Sequence, residues 1–253
     1  MPMLEVQNVT VKYGGVQALR DVSFRVDAGE WVMITGPNGA GKSTLLEAVM
    51  QCVPYTGSIR LDGADVKTMK PRERAQRMGI LSQRASEGYA FTVEEIVRLG
   101  RYAWHDALGG PGAADEAAVE RAMCSTGTAA LRHKPISKIS GGEVQRAFLA
   151  QLFAQNPRFM LLDEPLSHLD VSYQKQIFEL IGQWLGQEPR TVLSVVHDLS
   201  VVRRFATRVI VMDHGRVAAD GPPEEALAPD VLRRVYGMDA AAWMRELYGL
   251  WSG

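Results

Sequence analysis

The chain has 253 residues, 46 % of them hydrophobic and 23 % charged, with a formal net charge of −1. That length allows one large or two small domains, and the near-neutral charge without a dominant basic block argues against a general nucleic-acid surface. No stretch approaches the ~20 apolar residues needed to cross a bilayer, and the start Met1-Pro2-Met3-Leu4-Glu5 lacks the basic and apolar regions of a signal peptide. Cys52 and Cys124 stand far apart in no metal-ligand spacing, which predicts two free thiols in a reducing compartment.

From the N-terminus, Leu4, Val6, Val9 and Val11 alternate with polar residues, slipping once at Asn8. Gly14-Gly15 makes a turn, and Ala18 to Val26 resumes the strand pattern. An antiparallel β layer is predicted here. Tyr13 lies within it; an aromatic residue at a strand end either packs locally or stacks on a nucleobase.

Trp31 to Thr35 is a short apolar run, read as a buried strand. Gly36-Pro37-Asn38-Gly39-Ala40-Gly41-Lys42-Ser43-Thr44 follows, and Leu45, Leu46, Val49 and Met50 recur at helical spacing after it. Strand, glycine loop and helix in that order are the context a phosphate loop requires. Glycines let backbone N–H groups turn around an anion, and the helix start adds donors and a positive dipole end. Lys42 is then expected on the β- and γ-phosphates and Ser43 on Mg²⁺.

Gly57 to Gly63 reads as a strand between turns, Lys67 to Arg77 as a polar surface helix after Pro71, and Met78 to Ser82 as a short strand ending at Gln83. A Gln at that point is a plain loop residue, or lies at the sheet edge where ligands of open α/β folds bind. Thr92 with Glu95 forms a capping box for the next helix. Residues 105–114, with Gly109, Gly110, Pro111 and Gly112, read as a loop, and Ala113 to Met123 as a helix. Residues 86–154 show no convincing strand and are expected to form an inserted helical subdomain.

Ser140 with Glu143 is a second capping box. Gly141 and Gly142 between them cost helix stability, about 1 kcal/mol each relative to Ala. Some close approach, such as that of an anion, must need a bare backbone there. Phe159 to Leu162 is a strand running into Asp163-Glu164, a carboxylate pair that calls for a nearby cation. Tyr173 to Leu185 carries Ile177, Leu180, Ile181, Trp184 and Leu185 on one helical face. Thr191 to Val196 is a β-branched strand leading to His197, a candidate γ-phosphate contact. Val209 to Met212 and Val217 to Ala219 are further strands. Residues 222–253 read as helical, with Tyr236, Trp243, Tyr248 and Trp251 lacking evident packing partners.

This order of motifs resembles the ATP-binding cassette (ABC) ATPase family over nearly the whole chain. The matching elements are the phosphate loop, Gln83 as the glutamine-loop residue, the signature Ile139-Ser140-Gly141-Gly142-Glu143 followed by Gln145-Arg146, the acidic motif Leu161-Leu162-Asp163-Glu164, the D-loop Ser167-His168-Leu169-Asp170, and the switch residue His197. Ile139 replaces the usual Leu and Glu143 the usual Gln.

The resemblance implies an α/β fold: a P-loop NTPase core (1–85 and 155–221) with an N-terminal antiparallel β subdomain, a helical signature subdomain (86–154) and a C-terminal helical extension (222–253). It implies a head-to-tail homodimer burying two ATP molecules. Each ATP would lie on one chain's phosphate loop and beneath the other's Ser140-Gly141-Gly142, with Glu143 beside it. Glu164 would be the general base; Asp163, Ser43 and Gln83 would hold Mg²⁺; Lys42 and His197 would stabilise the transferring phosphoryl group. Tyr13 would stack on adenine and Asp170 would contact the opposite subunit.

Thr92 to Tyr102, the D-loop and Val231 to Gly237 look like the branch serving iron–siderophore, haem and vitamin B12 import. That branch implies two copies of a polytopic permease docking on Gln83 to about Tyr102 at the cytoplasmic face of the inner membrane, and an extracytoplasmic substrate-binding protein. An ATPase of a metal-ion or amino-acid importer, and a soluble ABC ATPase acting on ribosomes or DNA, are the competing readings. The soluble class usually has two cassettes or a coiled-coil insertion.

Overall fold

The computed structural model describes residues 2–81, 91–105, 110, 112–165, 170–187 and 190–249. The chain divides into two compact units, Met1–Thr68 with Leu193–Gly253, and Met69–Val192.

The first unit opens with β1 (Pro2–Tyr13) and β2 (Val16–Asp27), an antiparallel hairpin through Gly14-Gly15. Asn8 takes a left-handed conformation (φ 52°), and the register shifts between Val6 and Val9. This bulge is the slip in the alternation. The extra residue returns Val9 and Val11 to the face that Leu4 and Val6 bury. Then come β3 (Trp31–Thr35), α1 (Lys42–Val49), β4 (Thr56–Leu61) and β5 (Ala64–Asp65). One sheet of this unit has the order β2-β1-β4-β5. The two-residue β5 falls just before the stretch read as a polar helix.

The second unit begins with α2 (Pro71–Arg77) and β6 (Met78–Leu81). Pro71 occupies the first turn of α2, where a missing N–H costs nothing, so the helix starts there, as expected. Next are α3 (Val93–Leu99), α4 (Ala113–Ser125), α5 (Gly141–Gln155), β7 (Phe159–Asp163) and α6 (Val171–Leu185). β6 and β7 pair in parallel, Met78 with Phe159 through Leu81 with Leu162. Val93, Ile96 and Val97 of α3 pack with Val119, Ala122 and Met123 of α4 and Ala147, Ala150 and Ala154 of α5 in one helical core. Between Phe91 and Gln155 the described residues hold an isolated bridge, Thr92 to Pro135, and no strand.

β8 (Thr191–Val195) carries the chain back into the first unit, followed by α7 (Leu199–Phe205), β9 (Arg208–Asp213) and β10 (Arg216–Gly221). β9 lies parallel to β3 and antiparallel to β10. β3 and the centre of β9 are wholly buried, as continuous apolar runs require. The C-terminal segment forms three helices, α8 (Pro223–Ala226), α9 (Pro229–Tyr236) and α10 (Ala240–Gly249). Among the described residues no helix is long and apolar enough to cross a membrane. Cys52 and Cys124 are free and exposed.

Candidate functional site

In the first unit, β3 ends at Thr35 and delivers the chain into the glycine loop. Gly36 is buried with φ 142°, and a Cβ there would lie 2.1 Å from the Met212 carbonyl oxygen, so no other residue fits. The Lys42 ammonium is buried and donates to the Gly36 and Pro37 carbonyl oxygens at 2.7 and 2.8 Å. A positive charge is thereby held inside the loop's own ring. Asn38 and Gly39 are exposed at the loop's tip, and Ala40 is buried, its N–H donating to Pro37 O at 3.2 Å. α1 starts behind Gly41 (φ 96°) without a side-chain cap, and the first N–H groups of a helix, which lack intrahelical partners, are where anions bind. Ser43 is exposed and Thr44 half-buried in that first turn.

Tyr13 is tied to the same helix. Its hydroxyl donates to Glu47 Oε2 at 3.0 Å, while the residue stays 46 % exposed. Desolvation first, then the Glu47 bond, push its pKa above the ordinary tyrosine value. His197 is exposed two residues beyond β8, and the neighbouring Val196 N–H donates to Ile34 O at 3.1 Å. The end of β8 beside His197 and the strand feeding the loop are thus tied within this unit.

In the second unit, Asp163 closes β7 and Glu164 follows it, both half-buried. Glu164 has φ 47°, a left-handed conformation that costs a residue with a Cβ about 1–2 kcal/mol. Strain of this kind concentrates at functional sites. The next residue is anchored: Gln145 Nε2 in α5 donates to Pro165 O at 2.6 Å. The sequence placed Gln145 in the signature without assigning it this work.

Ser140 caps α5 as expected. Its hydroxyl accepts from Glu143 N–H at 3.3 Å, and Glu143 Oε2 accepts from Ser140 N–H at 2.7 Å. That second bond holds the Glu143 carboxyl below its ordinary pKa. The two signature glycines separate here. A Cβ on Gly142 would come within 2.7 Å of the Tyr173 ring, whereas one on Gly141 would meet nothing within 4 Å. Packing against Tyr173 therefore explains Gly142 without any anion, and only Gly141 is left with no partner in the fold to account for it. Asp170 caps α6, accepting from Tyr173 N–H at 3.0 Å and the Ser172 hydroxyl at 2.7 Å. These bonds, the Tyr173 one first, depress its pKa. Gln83 and the D-loop residues Ser167, His168 and Leu169 lie outside the described residues.

Residues 19–167 match the ABC transporter family. The chain belongs to the ABC transporter family. As an ABC cassette it is 36 % identical to the hemin import ATP-binding protein HmuV of Rhodopseudomonas palustris, over 96 % of this chain and 91 % of that protein. Its identity is 41 % to HmuV of Streptomyces coelicolor (89 % and 80 % covered) and 34 % to the ferric enterobactin transport ATP-binding protein FepC of Escherichia coli (93 % and 87 %). Against the ABC transporter ATP-binding protein YvrA of Bacillus subtilis, 36 % identical, the match covers 96 % of this cassette and spans 55 % of the relative's length. Among solved structures, the dimeric post-hydrolysis cassette MJ0796 bound to ADP and Pi superimposes with a TM-score of 0.77 at 26 % identity, covering 87 % of this chain and 99 % of that one. An inward-facing transporter of metal-chelate type gives a TM-score of 0.82 at 23 % identity (94 % and 90 % covered), which concerns the fold.

Proposed function

We propose that this cassette binds and hydrolyses ATP and thereby drives import of an iron–siderophore, haem or cobalamin-type compound through a separate membrane permease. The observation that carries the ATPase reading is the buried Lys42 ammonium held on the Gly36 and Pro37 carbonyls at the start of α1. An incoming phosphate exchanges those carbonyls for its own oxygens. The importer reading rests on the likeness to a hemin import and a ferric enterobactin transport ATP-binding protein.

The roles follow from residue chemistry. Lys42 and the N–H groups of the loop and α1 bind the β- and γ-phosphates, His197 adds a contact on the transferring group, and Tyr13 offers its exposed ring to the adenine. Glu164 accepts a proton from the water attacking the γ-phosphorus; the bond to the β–γ bridging oxygen breaks, leaving ADP and phosphate. Mg²⁺ would neutralise charge on the phosphates, held by Ser43, Asp163 and, directly or through water, Gln83. Hydroxyl, carboxylate and carboxamide oxygens are the hard donors it takes beside substrate phosphates. Ser140 and Gly141 present the α5 N-terminus to the nucleotide of a second copy, with Glu143 holding the cap and Asp170 reaching that copy.

The permease is assigned to the surface around α3. Phe91, Leu99, Tyr102 and Trp104 are 41, 48, 78 and 40 % exposed, an apolar grouping that suits a partner helix. Two permease copies and an extracytoplasmic binding protein complete the assembly at the cytoplasmic face of the inner membrane. Gentle solubilisation of native membranes and purification on a tagged chain tests this. A polytopic permease in the eluate is the expected result; ribosomal or DNA-repair proteins without a membrane partner would replace the importer with a soluble ATPase.

A further inference from the structure

Gly36 is fixed from two directions within the first unit. Its carbonyl takes the Lys42 ammonium at 2.7 Å, and its α-carbon sits against the Met212 carbonyl, where a Cβ would be 2.1 Å from the oxygen. The residue before it, Thr35, meets Tyr236, the last residue of α9. The Tyr236 hydroxyl lies 3.3 Å from Thr35 Oγ1. Thr35 is fully buried, and among the described residues Tyr236 is the partner found for its hydroxyl.

The Tyr236 side chain is presented by a rigid element. α9 starts at Pro229, buries Leu232 and Val235, and ends in Gly237 at φ 69°. Arg234 Nη2 donates to Ala218 O in β10 at 3.2 Å, and Arg233 pairs with Asp239 at 2.6 Å just past the helix. Tyr236 also lines a cavity of about 530 Å³ together with His197 and with Trp243, Met244 and Leu247 of α10. The C-terminal helices therefore face both the start of the phosphate loop and the switch histidine.

We propose that Tyr236 is a positioning residue of the nucleotide site, holding Thr35 at the end of β3 and with it the point where the chain enters the phosphate loop. The kinetic part of this inference rests on the ATPase reading above; the local part does not. Tyr236→Phe keeps the ring and removes only the hydroxyl. Losing one such hydrogen bond is expected to raise KM for ATP about three- to ten-fold while kcat stays within about two-fold. Hydrogen exchange of a peptide covering residues 35–41 should speed up without nucleotide, while one covering 93–105 is unchanged. Thr35→Val added to Tyr236→Phe removes the hydroxyl orphaned by the first change. Thermal stability should recover in this double variant while KM stays raised, because the tie between the end of β3 and α9 is still missing. If KM and loop exchange match the parent in Tyr236→Phe, or if KM recovers together with stability, Tyr236 is only a packing residue and the inference is wrong. A parent protein without ATPase activity would instead overturn the functional reading, and loop exchange would still decide whether Tyr236 holds the loop.

Discussion

At the scale of single residues, the site depends on side chains whose geometry is costly for the fold. Glu164 sits at φ 47°, a conformation that Gly would take more cheaply. Glu164→Gln preserves shape and removes the base. Hydrolysis should fall about 10²- to 10⁴-fold with ATP still bound, measured by phosphate release and by fluorescent-nucleotide titration; near-normal turnover would remove Glu164 from that role. Lys42→Ala deletes the loop's internal cation. A hydrogen bond to a charged group is worth about 1.5–3 kcal/mol, so affinity for ATP should drop about ten- to a hundred-fold; unchanged affinity would disprove the phosphate-loop assignment. The signature glycines make a sharper pair. Gly142→Ala drives a methyl into the Tyr173 ring, and overpacking of this kind costs about 1–3 kcal/mol, which thermal melting detects. Gly141→Ala meets open space and should melt like the parent. If a nucleotide lies against that backbone, Gly141→Ala should nonetheless hydrolyse ATP poorly. Equal activity in Gly141→Ala and the parent would leave the signature loop with a purely structural account.

Elements in the second unit are joined by charge as well as by their apolar core. Arg98 of α3 bonds Glu94 on its own helix and Glu116 of α4. Arg132 reaches Glu94 at 3.1 Å and pairs with Glu120 of α4. The arginine bonds hold the Glu116 and Glu120 carboxyls below their ordinary pKa. Because the folded values are depressed, their contribution is present above the unfolded value of about 4.5 and lost as pH falls through the folded ones. A Glu116→Gln, Glu120→Gln variant should therefore melt below the parent at pH 7, with the gap closing in acid; a gap that persists under acid would mean packing, not charge, joins these helices. Both carboxylates are exposed, so the gap is expected to be small. Elements whose cause is local were legible in the sequence: the strand–glycine loop–helix unit, the bulge at Asn8, and the two capping boxes. α7 was not, although Asp198 accepts from Ser200 N–H at 2.8 Å as its cap; seven residues give too few turns for a periodic signal. The two-residue β5 carries still less pattern. The work of Tyr236 could not be read at all, since its partner Thr35 lies 201 residues away and nothing local marks it.

For the whole molecule, the decisive question is which chain supplies each half of a nucleotide site. A two-fold dimer makes every composite site appear twice, with the roles of the chains exchanged. Lys42 lies in one compact unit and Ser140 in the other, and the dimer reading takes the working pair from different copies. Two defects then complement. In a Glu164→Gln background, chosen because bound ATP is not consumed, Lys42→Ala spoils the loop and leaves the signature. Ser140→Arg spoils the signature and leaves the loop. Each variant alone has no intact site in its own dimer and should stay monomeric with ATP. Mixed, they form one intact site, from the loop of the Ser140→Arg chain and the signature of the Lys42→Ala chain. Size-exclusion chromatography with ATP should show a dimer in the mixture only, trapping about one nucleotide per dimer against about two in the parent. Ser140→Arg alone should also keep the parent's ATP affinity as a monomer, because its own loop is untouched. If the mixture stays as monomeric as its parts, or if that affinity collapses, loop and signature serve the same chain's nucleotide and the exchanged dimer is wrong.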